Sequence, residues 1–379
     1  MAKKKKIRVE LRKNRSKPAR QRRWTRDFQE HGFEEEATLS DERVRAKGDL
    51  SRRRTIITDE TSPAGGEQAA ERPAADTEQC LPGRVLRVHG LFSVVETEDG
   101  KQYRCAVRRL LRTLATDERN AVTTGDRVWF RPALNDEGLI ERVEPRHGLL
   151  TRASRGREHV IVANVDQLVI VMALAEPDLK PHLIDRYLAS AAQGAITPIV
   201  CLNKADLVDP AAFVSLVGLY SQLGIRTLLT SATTGLGIAT LRELLRDRQT
   251  AFAGQSGVGK SSLLNAIQPD LGLRVREVSE GNQKGRHTTT TAQLIKLEFG
   301  GWVVDTPGVR QFQLWDLLPE EMEGFFPEFR PLVPLCAYPD CTHTHEDRCA
   351  IKDAVERRLI SVQRYESYLG LFTGSMELS

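Results

Sequence analysis

Polar and apolar positions fall into distinct regimes along the 379-residue chain. Residues 1–78 hold few large apolar side chains among many charges, with Pro63 and Pro73 as breakers. So little apolar surface cannot offset the entropy of ordering the chain, and a disordered extension and linker is expected there. From Leu81 short runs alternate with the period of two of a half-buried strand, at 83–88, 92–96, 102–107, 126–130 and 138–143. Turn residues separate them at Gly90, at Asp99 and Gly100, at Thr124 and Gly125, and from Asn135 to Gly138. Five such strands in quick succession predict a small all-β barrel of oligonucleotide-binding (OB) type.

Beyond Val160 the period changes. A buried strand at 167–172 is followed by a helix at 182–192 that gathers Leu183, Ile184, Tyr187, Leu188 and Ala191 on one face. Strands at 198–202, 226–229 and 251–253 then alternate with helices at 213–223, 236–245 and 262–267. This alternation predicts an α/β fold with a doubly wound, mostly parallel sheet, whose ligands bind at the carboxyl ends of the strands.

Charge changes the picture at one end. Residues 1–26 carry 13 Lys/Arg against the single acid Glu10, so a net +12 sits there and the other 353 residues sum to −8 of the overall +4. A basic arm of this kind suits contact with phosphate backbones. Interleaved Arg108, Arg109, Arg112 and Arg127 with Tyr103, Trp129 and Phe130 give the barrel charge and stacking surface for RNA. The N-terminus has charge but no apolar secretory core, and the apolar stretch 160–175 is interrupted by Asn164, Asp166 and Gln167, so no membrane span and a cytoplasmic location are expected.

Chemistry concentrates first at 254–262. Gly254, Gln255, Ser256, Gly257, Val258, Gly259, Lys260, Ser261 and Ser262 complete a Gly-x4-Gly-Lys-Ser phosphate loop between a strand and a helix. Its amides can cradle phosphate oxygens, Lys260 can reach the β- and γ-phosphates, and Ser261 can ligate Mg2+. Asn203, Lys204, Ala205 and Asp206 follow the second parallel strand, where the Asp206 carboxylate can accept from the N1–H and amino group of guanine. Ser231 and Ala232 end the third strand, with backbone amides for the guanine O6. Downstream, His287 precedes Thr288, Thr289, Thr290 and Thr291, and Asp305 ends an apolar strand before Thr306, Pro307 and Gly308. Asp305 suits Mg2+, and the Gly308 amide suits the γ-phosphate. One threonine of the run is expected in the metal shell. Val309 stands where many GTPases carry a water-positioning glutamine, which leaves His287 as the candidate.

All parts of a GTP site are present in a rotated order: the guanine signatures precede the phosphate loop. Cys336, Cys341, His343 and Cys349 then offer three thiolates and an imidazole within fourteen residues, enough for one closed structural zinc site. His345 is a rival ligand. A helix carrying Lys352, Arg357 and Arg358 is expected at 350–358.

On the phosphate loop 254–262, the run 285–290 and the stretch 305–309, the chain resembles the circularly permuted bacterial ribosome small-subunit-dependent GTPases over about residues 80–365. The resemblance implies an OB-type barrel at 79–148, a circularly permuted GTPase domain at 149–311 and a helical zinc-binding domain at 312–379. It implies His343 as the fourth zinc ligand and supports His287 as the catalytic group. It also implies a GTP hydrolase that binds the small ribosomal subunit and its rRNA, acts in late maturation and is stimulated by the subunit. A monomer is expected. The competing reading is an RNA-binding assembly scaffold in which GTP is mainly structural.

Overall fold

The computed structural model describes residues 4–10, 53–59, 79–108, 111, 121–153, 158–273, 292–305 and 319–374. Two units are distinguished, residues 1–76 and 77–379. In the first, strands β1 (Lys4–Glu10) and β2 (Arg53–Asp59) pair antiparallel, from Lys4 opposite Asp59 to Glu10 opposite Arg53. The sequence reading expected no regular structure here. Both runs carry β-branched residues, Ile7 and Val9 in one and Thr55 to Thr58 in the other, which favour extended backbone.

The second unit begins with a closed barrel of β3 (Leu81–His89), β4 (Phe92–Glu96), β5 (Gln102–Val107), β6 (Arg127–Pro132) and β7 (Glu137–Val143). The strand order is β3-β4-β5-β7-β6, and β6 returns to pair with β3. All contacts are antiparallel except β5–β7, the crossover that closes an OB-type barrel. Val85, Val95, Cys105, Val128, Phe130 and Ile140 fill it. This corrects one expectation. Alternation along β6 turns Phe130 inward, fully buried against Tyr103 at 5.0 Å, so it is no stacking surface for RNA. Arg108 is also engaged, donating at 2.9 Å to the buried Glu141, which Arg131 meets at 3.0 Å. Arg109 and Arg112 lie outside the described residues.

A hairpin of β8 (Leu150–Ala153) and β9 (Glu158–Val162) links the barrel to the α/β layer. There β10 (Gln167–Ala173), β11 (Thr197–Asn203), β12 (Arg226–Leu229), β13 (Gln249–Ala253) and β15 (Trp302–Asp305) run parallel in the order β12-β11-β10-β13-β15. β14 (Gln293–Lys296) lies antiparallel beside β15 and reaches β3 through Gln293 and Arg87, so sheet and barrel are continuous. Every residue of β10 is buried because helices cover both faces. Ile170, Met172, Val200 and Leu202 pack with Ile184, Tyr187, Leu188 and Tyr220 of α1 (Pro181–Gln193) and α2 (Val214–Gln222). Val169, Val171, Ile199 and Cys201 point the other way, onto Leu241, Leu245, Leu263 and Leu264 of α3 (Ile238–Leu245) and α4 (Lys260–Ile267).

The C-terminal region packs α5 (Ala350–Glu356) and α6 (Val362–Thr373) with a 3-10 segment, Pro319–Phe325, around Phe326, Phe329 and Tyr368. The α6 element was not expected from the sequence. Among the described residues, no helix is long and apolar enough to cross a membrane.

Candidate functional site

The phosphate loop leaves β13, which lies between β10 and β15 in the parallel set, and enters α4 at Lys260. Its bend requires glycine. Gly254 and Gly259 have φ of +140° and +92°, and a Cβ on Gly254 would stand 2.1 Å from the Val171 carbonyl oxygen. The turn leaves the first amides of α4 facing outward at the positive end of the helix, an arrangement suited to an anion. Lys260 Nζ donates to the carbonyls of Gly254 and Gln255 at 2.7 and 2.6 Å, so the ammonium lies along the loop itself.

The guanine-side residues arrive from β11 and β12, which lie on the far side of β10 from the phosphate-loop strand. Asn203, the last residue of β11, is buried and donates from Nδ2 to the Val258 carbonyl at 2.8 Å. Its Oδ1 accepts from the Thr230 hydroxyl at 3.2 Å, which also meets Cys201 Sγ at 3.1 Å. Lys204 follows in the left-handed region, φ +61°, and Nζ donates to the Glu176 carbonyl. Ala205 N–H donates to the Thr230 carbonyl at 3.1 Å and is buried, while Asp206 turns outward in a short 3-10 segment, exposed. Ser231 is buried, and its hydroxyl accepts from the amides of Thr233 and Thr234 at 3.2 and 3.1 Å. Ala232 is half-buried beside it. Asn203, Lys204, Asp206, Ser231 and the phosphate loop therefore meet at one end of the sheet.

Two contributors were not foreseen. Thr230 holds the Asn203 amide, and its place directly before Ser231 was the available signal. Tyr187 of α1 reaches the phosphate loop from below; burial pushes its phenol up, against a hydrogen bond with the Gly254 backbone. Asp305 closes β15, and its side chain lies outside the described residues. His287, Thr288, Thr289, Thr290, Thr291 and Gly308 also lie outside them.

The cysteine cluster forms as expected. Ligand atoms of Cys336, Cys341, His343 and Cys349 all lie within 4.8 Å of one another, and Cys341, His343 and Cys349 are buried. His343 Nδ1 stands 3.6 Å from Cys336 Sγ and 3.4 Å from Cys349 Sγ, and the two sulfurs are 4.0 Å apart. A tetrahedral zinc with bonds of about 2.3 Å to sulfur needs such edges. Nδ1 faces the thiols because Nε2 is taken by Glu323 Oε2 at 3.1 Å, the carboxylate–histidine pairing that fixes a ligand's tautomer. Without a cation, burial and the neighbouring thiols push Cys341 up to about 12, so the donors fit a metal that holds them as thiolates. His345 is exposed and bonds to Thr344, away from the cluster. Burial would raise the Glu346 carboxyl, but hydrogen bonds from Thr342 and Thr344 outweigh it and hold it at about 2. Its two oxygens clasp the turn around His343, accepting from the amides of Thr342 and Thr344 at 2.7 and 3.0 Å.

A phosphate loop on an interior strand of the parallel sheet, with guanine signatures on strands earlier in the chain, defines a circularly permuted P-loop GTPase. A family model described as RsgA GTPase matches residues 143–315. The small ribosomal subunit biogenesis GTPase RsgA of Chlorobaculum tepidum is 41% identical over 311 residues, which is 79% of this chain and 99% of that protein. The chain belongs to the RsgA GTPase family. Two solved structures share its architecture. YjeQ from Thermotoga maritima is 37% identical with a TM-score of 0.66, covering 79% of this chain and all of that one. YloQ, described as a circularly permuted GTPase, is 29% identical with a TM-score of 0.61, covering 79% and 96%.

Proposed function

We propose that this protein hydrolyses GTP to GDP and phosphate and couples the cycle to late maturation of the small ribosomal subunit. The observation that carries the reading is the bond from Asn203 to Val258. It ties the loop bearing Asp206 to the phosphate loop, so base and phosphates are read by one rigid unit. The relative from Chlorobaculum tepidum is named for small ribosomal subunit biogenesis, which supports the choice of partner.

In this reading Asp206 selects guanine, with Asn203, Lys204, Ala205, Ser231 and Ala232 framing the base. The amides of residues 254–262 hold the phosphates, and Lys260 swings from the loop carbonyls to the β- and γ-oxygens. Ser261 and Asp305 hold Mg2+, which neutralises charge on those phosphates when bound with GTP. Thr288, Thr289 and the Gly308 amide respond to the γ-phosphate, and His287 orients the attacking water. One structural zinc on Cys336, Cys341, His343 and Cys349 holds the 312–379 domain together. The protein acts as a cytoplasmic monomer, with its barrel (79–148), zinc domain and basic arm (within 1–78) contacting rRNA. The 149–311 domain carries the switch.

Co-sedimentation tests this reading. With a non-hydrolysable GTP analogue the protein should pellet with small subunits and not with large ones, and GDP should release it. Equal pelleting with both subunits, or no nucleotide dependence, would sink it.

A further inference from the structure

The C-terminal region and the GTPase layer meet at a buried ionic joint. Arg364 of α6 is 2% exposed, and its Nη1 donates at 2.8 Å to Oδ1 of Asp185 in α1, which is wholly buried. Nε and Nη2 donate to Glu328 at 2.6 and 3.1 Å, and the guanidinium lies 4.3 Å over the Phe326 ring. The Tyr220 hydroxyl of α2 donates to the same Asp185 oxygen at 2.9 Å. Asp185 Oδ2 and, next to Arg364, Gln363 Nε2 are buried without a hydrogen-bond partner among the described residues. The joint is charged and buried, so small shifts of α6 against α1 have a large electrostatic consequence.

The other side of α1 and the segment before it belong to the nucleotide site. Residues 174–180 join β10 to α1. Leu174 N–H donates to the Asn203 carbonyl at 2.9 Å, and Lys204 Nζ donates to the Glu176 carbonyl. Two residues past Asp185, about 200° around the helix, Tyr187 points into the sheet-facing core and bonds the Gly254 backbone. One short helix is thus gripped by the C-terminal region on one face and meets the phosphate loop through Tyr187 on another, while the segment leading into it bonds the guanine-side loop.

We propose that Arg364 is a positioning residue for the nucleotide: through Asp185 it sets the seat of α1, and with it the guanine-side and phosphate loops. Any partner that shifts the C-terminal region would then change nucleotide affinity, and nucleotide would tighten the joint in return, because such coupling is reciprocal. The inference rests on GTP binding and not on the choice of ribosomal subunit.

The test uses the full chain without ribosomal subunits. Arg364→Met keeps the length of the side chain and removes its charge and forked donors. It should weaken GTP and GDP binding, measured by titration, by about 5- to 150-fold and raise KM accordingly. Asp185→Asn should act in the same direction, and the double variant should be no worse than the stronger single one. Arg364→Lys should restore part of the affinity. A purely structural role would lower the active fraction and leave Kd and KM of that fraction unchanged. Folded, zinc-loaded Arg364→Met with unaltered Kd and KM overturns the proposal. Should the variants not fold, the unmodified protein decides: GTP should slow amide exchange across α6, and unchanged exchange at saturating GTP overturns the proposal. Failure of the unmodified protein to bind GTP would instead count against the GTPase reading.

Discussion

The side-chain amide of Asn203 lies 2.8 Å from the carbonyl of Val258, 55 residues along the chain, and stands where any side chain on Gly259 would have to go. A Cβ there would come within 2.4 Å of Asn203 Nδ2, at a φ of +92° that L-residues avoid. The guanine-side loop and the phosphate loop are therefore packed with no spare atom between them.

Gly259→Ala follows from that contact. Backbone strain of about 1–3 kcal/mol and displacement of Asn203 should together weaken GTP binding by at least about tenfold, since about 1.4 kcal/mol is a decade in affinity. The fold should survive, because the site lies at the edge of the core. Titration with a fluorescent GTP analogue, with circular dichroism for folding, checks this; an unchanged Kd would mean that the loops are not coupled.

Asp206→Asn tests base choice. Asn presents a donor where guanine also donates, so GTP should bind far more weakly, while xanthosine triphosphate, with an acceptor at position 2, should gain. Competition between the two nucleotides reads the outcome. Should ATP compete as well as GTP in the unmodified protein, Asp206 does not select the base.

The cysteines give a prediction by count. Burial pushes Cys105 and Cys201 up to about 12, so both stay protonated at pH 8 and inert towards thiol reagents in the native protein. Their burial as neutral thiols favours the fold fully below about pH 9, and that contribution is lost as pH rises towards about 12. With zinc bound, Cys336, Cys341 and Cys349 should be slow as well. A strong chelator should release one zinc per chain and, by unfolding the segment the metal holds together, three fast thiols; denaturant should add the buried Cys80, Cys105 and Cys201 and bring the total to six. Three fast thiols before chelation would contradict a closed metal site.

Much of this was legible because it rests on local pattern. Alternation announced the barrel strands, and the switch to helical spacing announced α1 to α4. The phosphate loop and the Cys/His spacing are written contiguously. What was missed depends on tertiary placement. Residues 362–373 carry Val362, Tyr365, Tyr368, Leu369 and Phe372 at helical spacing, but the charged Arg364 reads as a solvated position. Its burial makes sense only once Asp185 and Glu328 are brought to it. Glu323 likewise looks like one acid among several until it meets His343. Phe130 was misread because adjacency to Trp129 in sequence suggested a shared face, whereas a strand sends neighbours to opposite sides.

The central claim is tested most directly by steady-state GTP turnover with and without purified small ribosomal subunits, on the unmodified protein and on His287→Ala. The account predicts slow turnover by the free protein and a rise of at least about a hundredfold with small subunits, the low end of what a positioned acid–base group supplies. It predicts no such rise with large subunits. His287→Ala should bind GTP normally and lose the rise. Turnover that is indifferent to the small subunit would contradict the account.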